Sequence, residues 1–262
     1  MNNMSHSYIV SAARTPIGKF LGGLAALSAP QLGAAAVRAA WERAGIAPDR
    51  VDEVVLGNVL SAGVGQAPAR QAALAAGLPP SVAAVTVNKV CGSGLKAVML
   101  ADQAIRAGDA SVIVAGGMES MSRAPHLLVG SRAGWKYGHQ QMLDSLLHDG
   151  LWCAAENSAM GNLSDYIARE HGVSRADQDA FAVESHRRAV AAVNAGSFAT
   201  EITPVVVPAA KSTTTLDRDE GPRADTTAES LAKLRPAFAP DGTATAGNAS
   251  QKIGRASCRE RV

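Results

Sequence analysis

Over its first 117 residues the chain alternates β-branched runs with Ala-rich stretches of helical period. No other feature limits the possible folds as tightly. YIVSAA (8–13), DEVVLGNVL (52–60), AAVTVNKV (83–90) and SVIVAGG (111–117) read as strands. Between them, SAPQLGAAAVRAAWERAG (28–45), QAPARQAALAAG (66–77) and LKAVMLADQAIRAG (95–108) read as helices. Ser28 is a candidate N-cap, Pro30 lies in the first turn and Gly45 is a stop signal. Strands alternating with helices predict an α/β fold with a mostly parallel sheet covered on both faces. The sequence is 47% hydrophobic but only 4% aromatic, so Ala and Gly must fill much of the core and let helices lie close to the sheet.

From about residue 120 the pattern changes. GMESMSRAPHLLVGSRAGWKYGHQQ has no clean period and carries Arg123, His126, Arg132, Lys136 and His139. It reads as a solvated excursion, or as a loop that docks on a neighbouring subunit. SRADQDAFAVESHRRAVAAVNAG (174–196) reads as an amphipathic helix with Ser174 and Asp177 at capping-box spacing. Phe181, Ala182, Ser185, Ala189 and Val193 share one of its faces. ITPVVVP (202–208) is a short strand, and Pro236 stops a weak helix in the segment before it.

Composition excludes several classes. The net charge of +2 is uneven, because residues 252–262 carry a net +3 and leave −1 for residues 1–251. A body of that charge gives no case for nucleic acid binding. No apolar run approaches the roughly 20 residues that cross a bilayer, and no membrane partner is expected. MNNMSHSYIV lacks the pattern of a secretory signal. Three cysteines at unrelated spacing predict neither a disulfide framework nor a metal site, and a reducing, cytoplasmic setting follows.

The chemistry centres on VNKVCGSGLKAV (87–98), where a strand turns into a helix at Cys91. The thiolate is the reactive form of cysteine, and unpaired N–H groups at a helix N-terminus favour it. Gly92 and Gly94 remove side chains from the approach and permit a tight elbow, as at a serine nucleophile. Cys153, in GLWCAA, has apolar neighbours and reads as buried; Gly116–Gly117 reads as a turn. None of the six histidines is spaced to pair with Cys91.

These stretches resemble the thiolase family. VNKVCGSGLKAV and AGGMESMS carry the resemblance, with AARTPIGKF (12–20), GNVLSAGVGQAPARQAA (57–73), MLDSLLHDGL (142–151), LAKLRPAF (231–238) and DGTATAGNAS (241–250). Bacterial acetyl-CoA acetyltransferases are the branch most similar. The resemblance implies a layered α-β-α domain over residues 1–120 and an inserted loop domain over 121–250. It also implies acyl transfer through an acyl-cysteine at Cys91, with coenzyme A thioesters as substrates and no cofactor. Positions matching Arg223, Ser230, Phe238, Ala246 and Ser250 line the coenzyme A site of the family, with Leu151 and Met160 nearer the acyl and pantetheine end. Homodimers or homotetramers are the family's usual state. Many biosynthetic members carry His where this chain has Ala159, which leaves room for a longer acyl group and for the alternative of a degradative 3-ketoacyl-CoA thiolase.

The family takes a histidine base, a second cysteine and an asparagine from a second, similarly folded half. After GNAS this chain reads QKIGRASCRERV. KIGRASCRERV resembles a translated sequencing adapter, so residues 251–262 are expected to be a non-native tail outside the fold. Cys258 lacks the flanking pattern of the family's second cysteine. The reading therefore expects a chain without its C-terminal half, a sheet short of its last strand and a fragment without turnover. A non-catalytic fragment that binds coenzyme A or a partner is the remaining alternative.

Overall fold

The computed structural model describes residues 6–208 and 213–251, and the backbone of 253–261. The chain forms two compact units. One comprises the residues up to His126 with Glu201–Glu220 and the final strand; the other comprises Leu127–Thr200 and Gly221–Gln251.

In the first unit the strands are β1 (Ile9–Arg14), β2 (Gly18–Lys19), β3 (Glu53–Gly57), β4 (Ala83–Val87) and β5 (Ile113–Ser120). The helices are α1 (Ala29–Ala44), α2 (Pro68–Ala75) and α3 (Ser93–Ala107). β3 runs parallel to both β4 and β5, as βαβ connections require. α1 begins where the sequence predicts: Ser28 and Gln31 form a reciprocal capping box, and Gly45 closes the helix at φ 68°. Strand alternation then divides the core. Val54, Leu56 and Val114 pack with Leu32 and Val37 in one cluster, while Val55, Ile113 and Ala115 pack with Ala97 and Ala101 of α3 in another. Both faces of the sheet are therefore covered, as expected.

β5 corrects one reading. Gly116 and Gly117 lie inside the strand, which runs on to Ser120, rather than in a turn. Their pairing with Leu56 and Gly57 continues the parallel ladder, and backbone pairing does not depend on a side chain.

A second correction concerns the last strand. Residues 253–261 form β12 (Ile253–Arg261), which lies antiparallel between β1 and β5 and also meets β2. The sheet expected to lack a strand is thus filled, and the residues expected outside the fold are within it. Two facing strand edges offer rows of N–H and C=O groups, and these pair with any extended segment largely regardless of its sequence.

Residues 201–220 return to the first unit through charge. Arg14, with its side chain 7% exposed, binds Glu201 and grips Asp219 with two nitrogens at 2.7 and 3.0 Å. Asp219 also accepts the Ile17 amide, and Glu220 accepts the amides of Lys19 and Gly23. The strands β10 (Val205–Pro208) and β11 (Thr213–Leu216) form an antiparallel hairpin.

The second unit is built mainly from helices and short pairs. β6 (His126–Leu127), at its boundary, pairs with β7 (Leu143–Asp144). β8 (Trp152–Cys153) pairs antiparallel with β9 (Ser158–Ala159) and leads into α4 (Met160–Glu170). α5 (Arg175–Asn194) opens on the predicted Ser174–Asp177 capping box, and α6 (Ala228–Ala232) on one made by Thr227 and Ser230. The predicted apolar face of α5 is not what this chain buries: Phe181 is 77% exposed and the buried residue is Asp179. Asp179 is held inward by polar partners described below.

Candidate active site

Cys91 sits on an elbow between β4 and α3, one residue before the Gly92 N-cap, and is exposed. Val90, just before it, has φ 48°, a left-handed conformation that a β-branched residue rarely adopts. Strain of this kind persists only where the surroundings over-determine it. Here Ser93, only 4% exposed, does so: its Oγ accepts the Lys89 amide at 2.8 Å and donates to the Val90 carbonyl at 2.6 Å. Asn88 Oδ1 accepts the Val90 amide, and Gly92 and Ser93 donate to the carbonyls of Lys89 and Val90.

The elbow rests directly on the sheet. A Cβ on Gly57, at the end of β3, would meet the Ser93 carbonyl carbon at 2.6 Å and the Gly94 nitrogen at 2.7 Å. One on Gly117 would come within 3.3 Å of the Gly94 Cα. Gly94, expected to open the approach to sulfur, lies in the fold against Gly116 and Gly117 and is one of the contacts between α3 and β5. Gly92 has only the Lys89 carbonyl and the Lys89 side chain near its Cβ position, so it does leave space beside Cys91.

Beneath the elbow, Asn58 is 1% exposed and joins three strands. Its amide donates to the Val87 carbonyl, its Nδ2 donates to the Met118 carbonyl and to Glu119 Oε1, and its Oδ1 accepts from Ser61. Glu119 also accepts the amides of Val59 and Leu60. Burial pushes the Glu119 carboxyl above its ordinary value, against the opposing pull of those amides. Among the described residues, no hydrogen bond reaches the Cys91 sulfur.

The other predicted site residues belong to the second unit, where they form small groups. Met160 opens α4 and its neighbour Gly161 lies under the Phe238 ring; a Cβ at 161 would overlap that ring. Phe238 lines a hollow of about 340 Å³ with Arg235, Pro236 and Ala239. Leu151 precedes β8 and Met160 follows β9, and the register of the hairpin sets Trp152 opposite Ala159. Ser230 lies in α6, with its hydroxyl donating to the Thr227 carbonyl. Beside it, Gly247 faces Leu231 and Leu234, which brings the turn carrying Ala246 against α6. Arg223 is exposed and its amide donates to His186 Nδ1, while Gln251, next to Ser250, donates to the Gly221 carbonyl. Cys153 is half-buried in β8 rather than fully buried. Among the described residues, no three His, Cys, Asp or Glu side chains gather to hold a metal, and no helix is long and apolar enough to cross a membrane.

Sequence reasoning missed Val90, Ser93, Gly57, Asn58 and Glu119. Ser93 and Gly57 stand inside VNKVCGSGLKAV and GNVLSAGVGQAPARQAA, but only the packing of α3 against β3 gives them a task. Asn58 and Glu119 lie 61 residues apart and meet through the sheet.

The α/β sheet thus presents an exposed cysteine at a strand-to-helix elbow, directly after a valine held in the left-handed conformation. Residues 7–253 match the family described as thiolase, N-terminal domain, and the chain belongs to the thiolase family. It is 54% identical over 248 residues to an acetyl-CoA acetyltransferase of Pseudomonas aeruginosa, and 53% identical over 247 residues to a probable acetyl-CoA acetyltransferase of Escherichia coli. Each alignment covers 94% of this chain and 63% of the relative. The crystal structure of the Bacillus anthracis acetyl-CoA acetyltransferase superimposes with a TM-score of 0.97 at 35% identity, over 100% of this chain and 66% of that one. The chain thus spans less than two thirds of the length of the relatives it matches.

Proposed function

We propose that the protein from which this chain derives is an acetyl-CoA C-acetyltransferase, and that Cys91 carries its acyl intermediate. The Cys91 thiolate attacks the thioester carbonyl of acetyl-CoA, the acetyl group passes to sulfur, and coenzyme A leaves as its thiolate, which takes up the proton that Cys91 gave up. A second acetyl-CoA, its methyl proton taken by the second cysteine of the family's other half, then attacks the acyl-cysteine, expels the Cys91 thiolate and yields acetoacetyl-CoA; the reverse reaction is thiolysis. The observation that carries this reading is the elbow itself: an exposed sulfur held by the left-handed Val90 at the start of α3.

The coenzyme A moiety is assigned to Arg223, Ser230, Phe238, Ala246 and Ser250, and the acyl and pantetheine end to Leu151 and Met160. Arg223 suits a phosphorylated nucleotide because its guanidinium is always charged and can bind an oxyanion with two donors. In this reading residues 1–120 supply the nucleophile domain and 121–250 the loop domain, 251–262 is a non-native tail, and the enzyme uses no cofactor. It is a cytoplasmic homodimer or homotetramer. The base for Cys91 and the second cysteine come from a further half of the enzyme, so this chain by itself is expected not to turn over, with only the helix end to favour the thiolate and acylation of Cys91 correspondingly slow.

The test is to incubate the chain with acetyl-CoA and map acetylation by peptide mass spectrometry. Acetyl-Cys91, absent from Cys91→Ser and stoichiometric before any at Cys153, supports the reading; acetylation spread equally over the cysteines overturns it. A second reading, thiolysis of longer 3-ketoacyl-CoA, is favoured by Ala159, where many biosynthetic members have His. Acylation rates with a medium-chain acyl-CoA against acetyl-CoA separate the two.

A further inference from the structure

The second unit contains a polar clamp that the catalytic reading does not use. Asp179 is 6% exposed on α5 and divides its carboxylate. One oxygen accepts from Arg175 at 2.8 Å and the other from Asn248 at 2.8 Å. Arg175 extends this grip to the carbonyls of Leu231 and Leu234, at 2.6 and 3.1 Å. Asn248 extends it the other way, donating to the Thr243 carbonyl and accepting the Thr245 amide. The same turn is fixed from α4, where Asp165 accepts the amides of Thr243 and Ala244 at 2.8 Å each. Gln178 adds a bond to the Thr243 hydroxyl.

These bonds join two segments distant in sequence. One is the turn after α6, which follows Ser230. The other is the 243–248 turn, which carries Ala246 and leads to Ser250. A buried carboxylate needs compensation for lost hydration, and Asp179 obtains it by binding both segments through charge-assisted hydrogen bonds. α5 thus buries a carboxylate outside the apolar face its period predicts, and this clamp ties the helix to both segments.

We propose that Asp179 is a positioning residue: it fixes the spacing between Ser230 and the Ala246–Ser250 turn, and through that spacing the affinity for the nucleotide end of coenzyme A. The proposal rests on the ligand assignment above. Asp179 itself touches no ligand. Because Arg175 and Asn248 act through the same carboxylate, their removal has effects that overlap rather than add.

The experiment compares the full chain with Asp179→Ala, Asn248→Ala and the double variant, using two measurements. The first is trypsin cleavage after Lys233, which sits in the clamped turn. Cleavage is expected to be about tenfold faster in Asp179→Ala than in the parent, with the peptides of β3, β5 and α3 released no sooner. The second is coenzyme A affinity by calorimetry. Each single variant is expected to bind about tenfold more weakly, and the double variant well short of the about hundredfold that independent losses would give. Multiplying losses in the double variant overturn the proposal, as does unchanged cleavage at Lys233. If the parent binds no coenzyme A while Lys233 is still protected through Asp179, the ligand assignment falls and with it the positioning role, though the clamp stands. If the parent binds and Asp179→Ala binds equally well, the positioning role alone falls.

Discussion

Gly57 and Ser93 meet backbone to backbone: a Cβ at Gly57 would stand 2.6 Å from the Ser93 carbonyl carbon. Neither partner can yield without moving a strand end or the start of α3. Gly57→Ala is therefore expected to destabilise the first unit by about 1–3 kcal/mol. Urea unfolding followed by circular dichroism measures this, and a variant as stable as the parent would remove the close approach from the account of the elbow.

Val90 holds φ 48° and is 49% exposed, so replacing it loses little buried surface. Glycine accepts that backbone without steric cost. Val90→Gly is expected to stabilise the fold by roughly 1 kcal/mol, the strain that a non-glycine residue pays there. A lowered melting temperature would show that the conformation is not strained.

Glu119 links stability to pH. Its folded pKa is raised above the ordinary 4.5 by burial, so the folded chain keeps a proton that the unfolded chain has released. That contribution is complete below 4.5 and is lost as pH rises through the elevated value. In the Glu119→Gln variant this part of the pH dependence disappears. Unfolding free energies measured across that window should fall more steeply for the parent than for the variant; parallel curves count against it.

Arg14 and Asp219 are 7% and 8% exposed, and their pairing holds the 201–220 segment. Asp219→Ala removes one of the two carboxylates on a buried cation while Glu201 remains, at an expected cost of about 1.5–3 kcal/mol. Hydrogen exchange should report the loss at the Ile17 amide, which donates to the same carboxylate.

Gly161 lies under the Phe238 ring, with no space for a methyl group. Gly161→Ala is expected to push Phe238 outward and weaken coenzyme A binding about tenfold, read by calorimetry. Unchanged affinity would remove Phe238 from the proposed site.

Local signals were legible in the sequence because their causes are local. The caps at Ser28 and Ser174, the αL stop at Gly45, and the cores of β3, β4, α1 and α3 follow from side-chain chemistry within one turn or one strand. Cys91 was legible for the same reason: a β-branched run, a cysteine and two glycines specify an elbow. Short-range pattern also suggested a turn at Gly116–Gly117 and an apolar face for α5, and there it failed. The ladder to Gly57 carries β5 through its glycines, and polar partners far away in sequence draw Asp179 inward.

By itself, then, the sequence determined the alternation of elements, their caps, the cysteine elbow and, through its motifs, the family. Tertiary structure alone decided what holds that elbow. The Gly57–Ser93 contact, the Asn58–Glu119 lock and the place of β12 each join residues that no periodicity relates. Their energy comes from close approach and from buried hydrogen bonds, and both exist only once the sheet has brought its strands together.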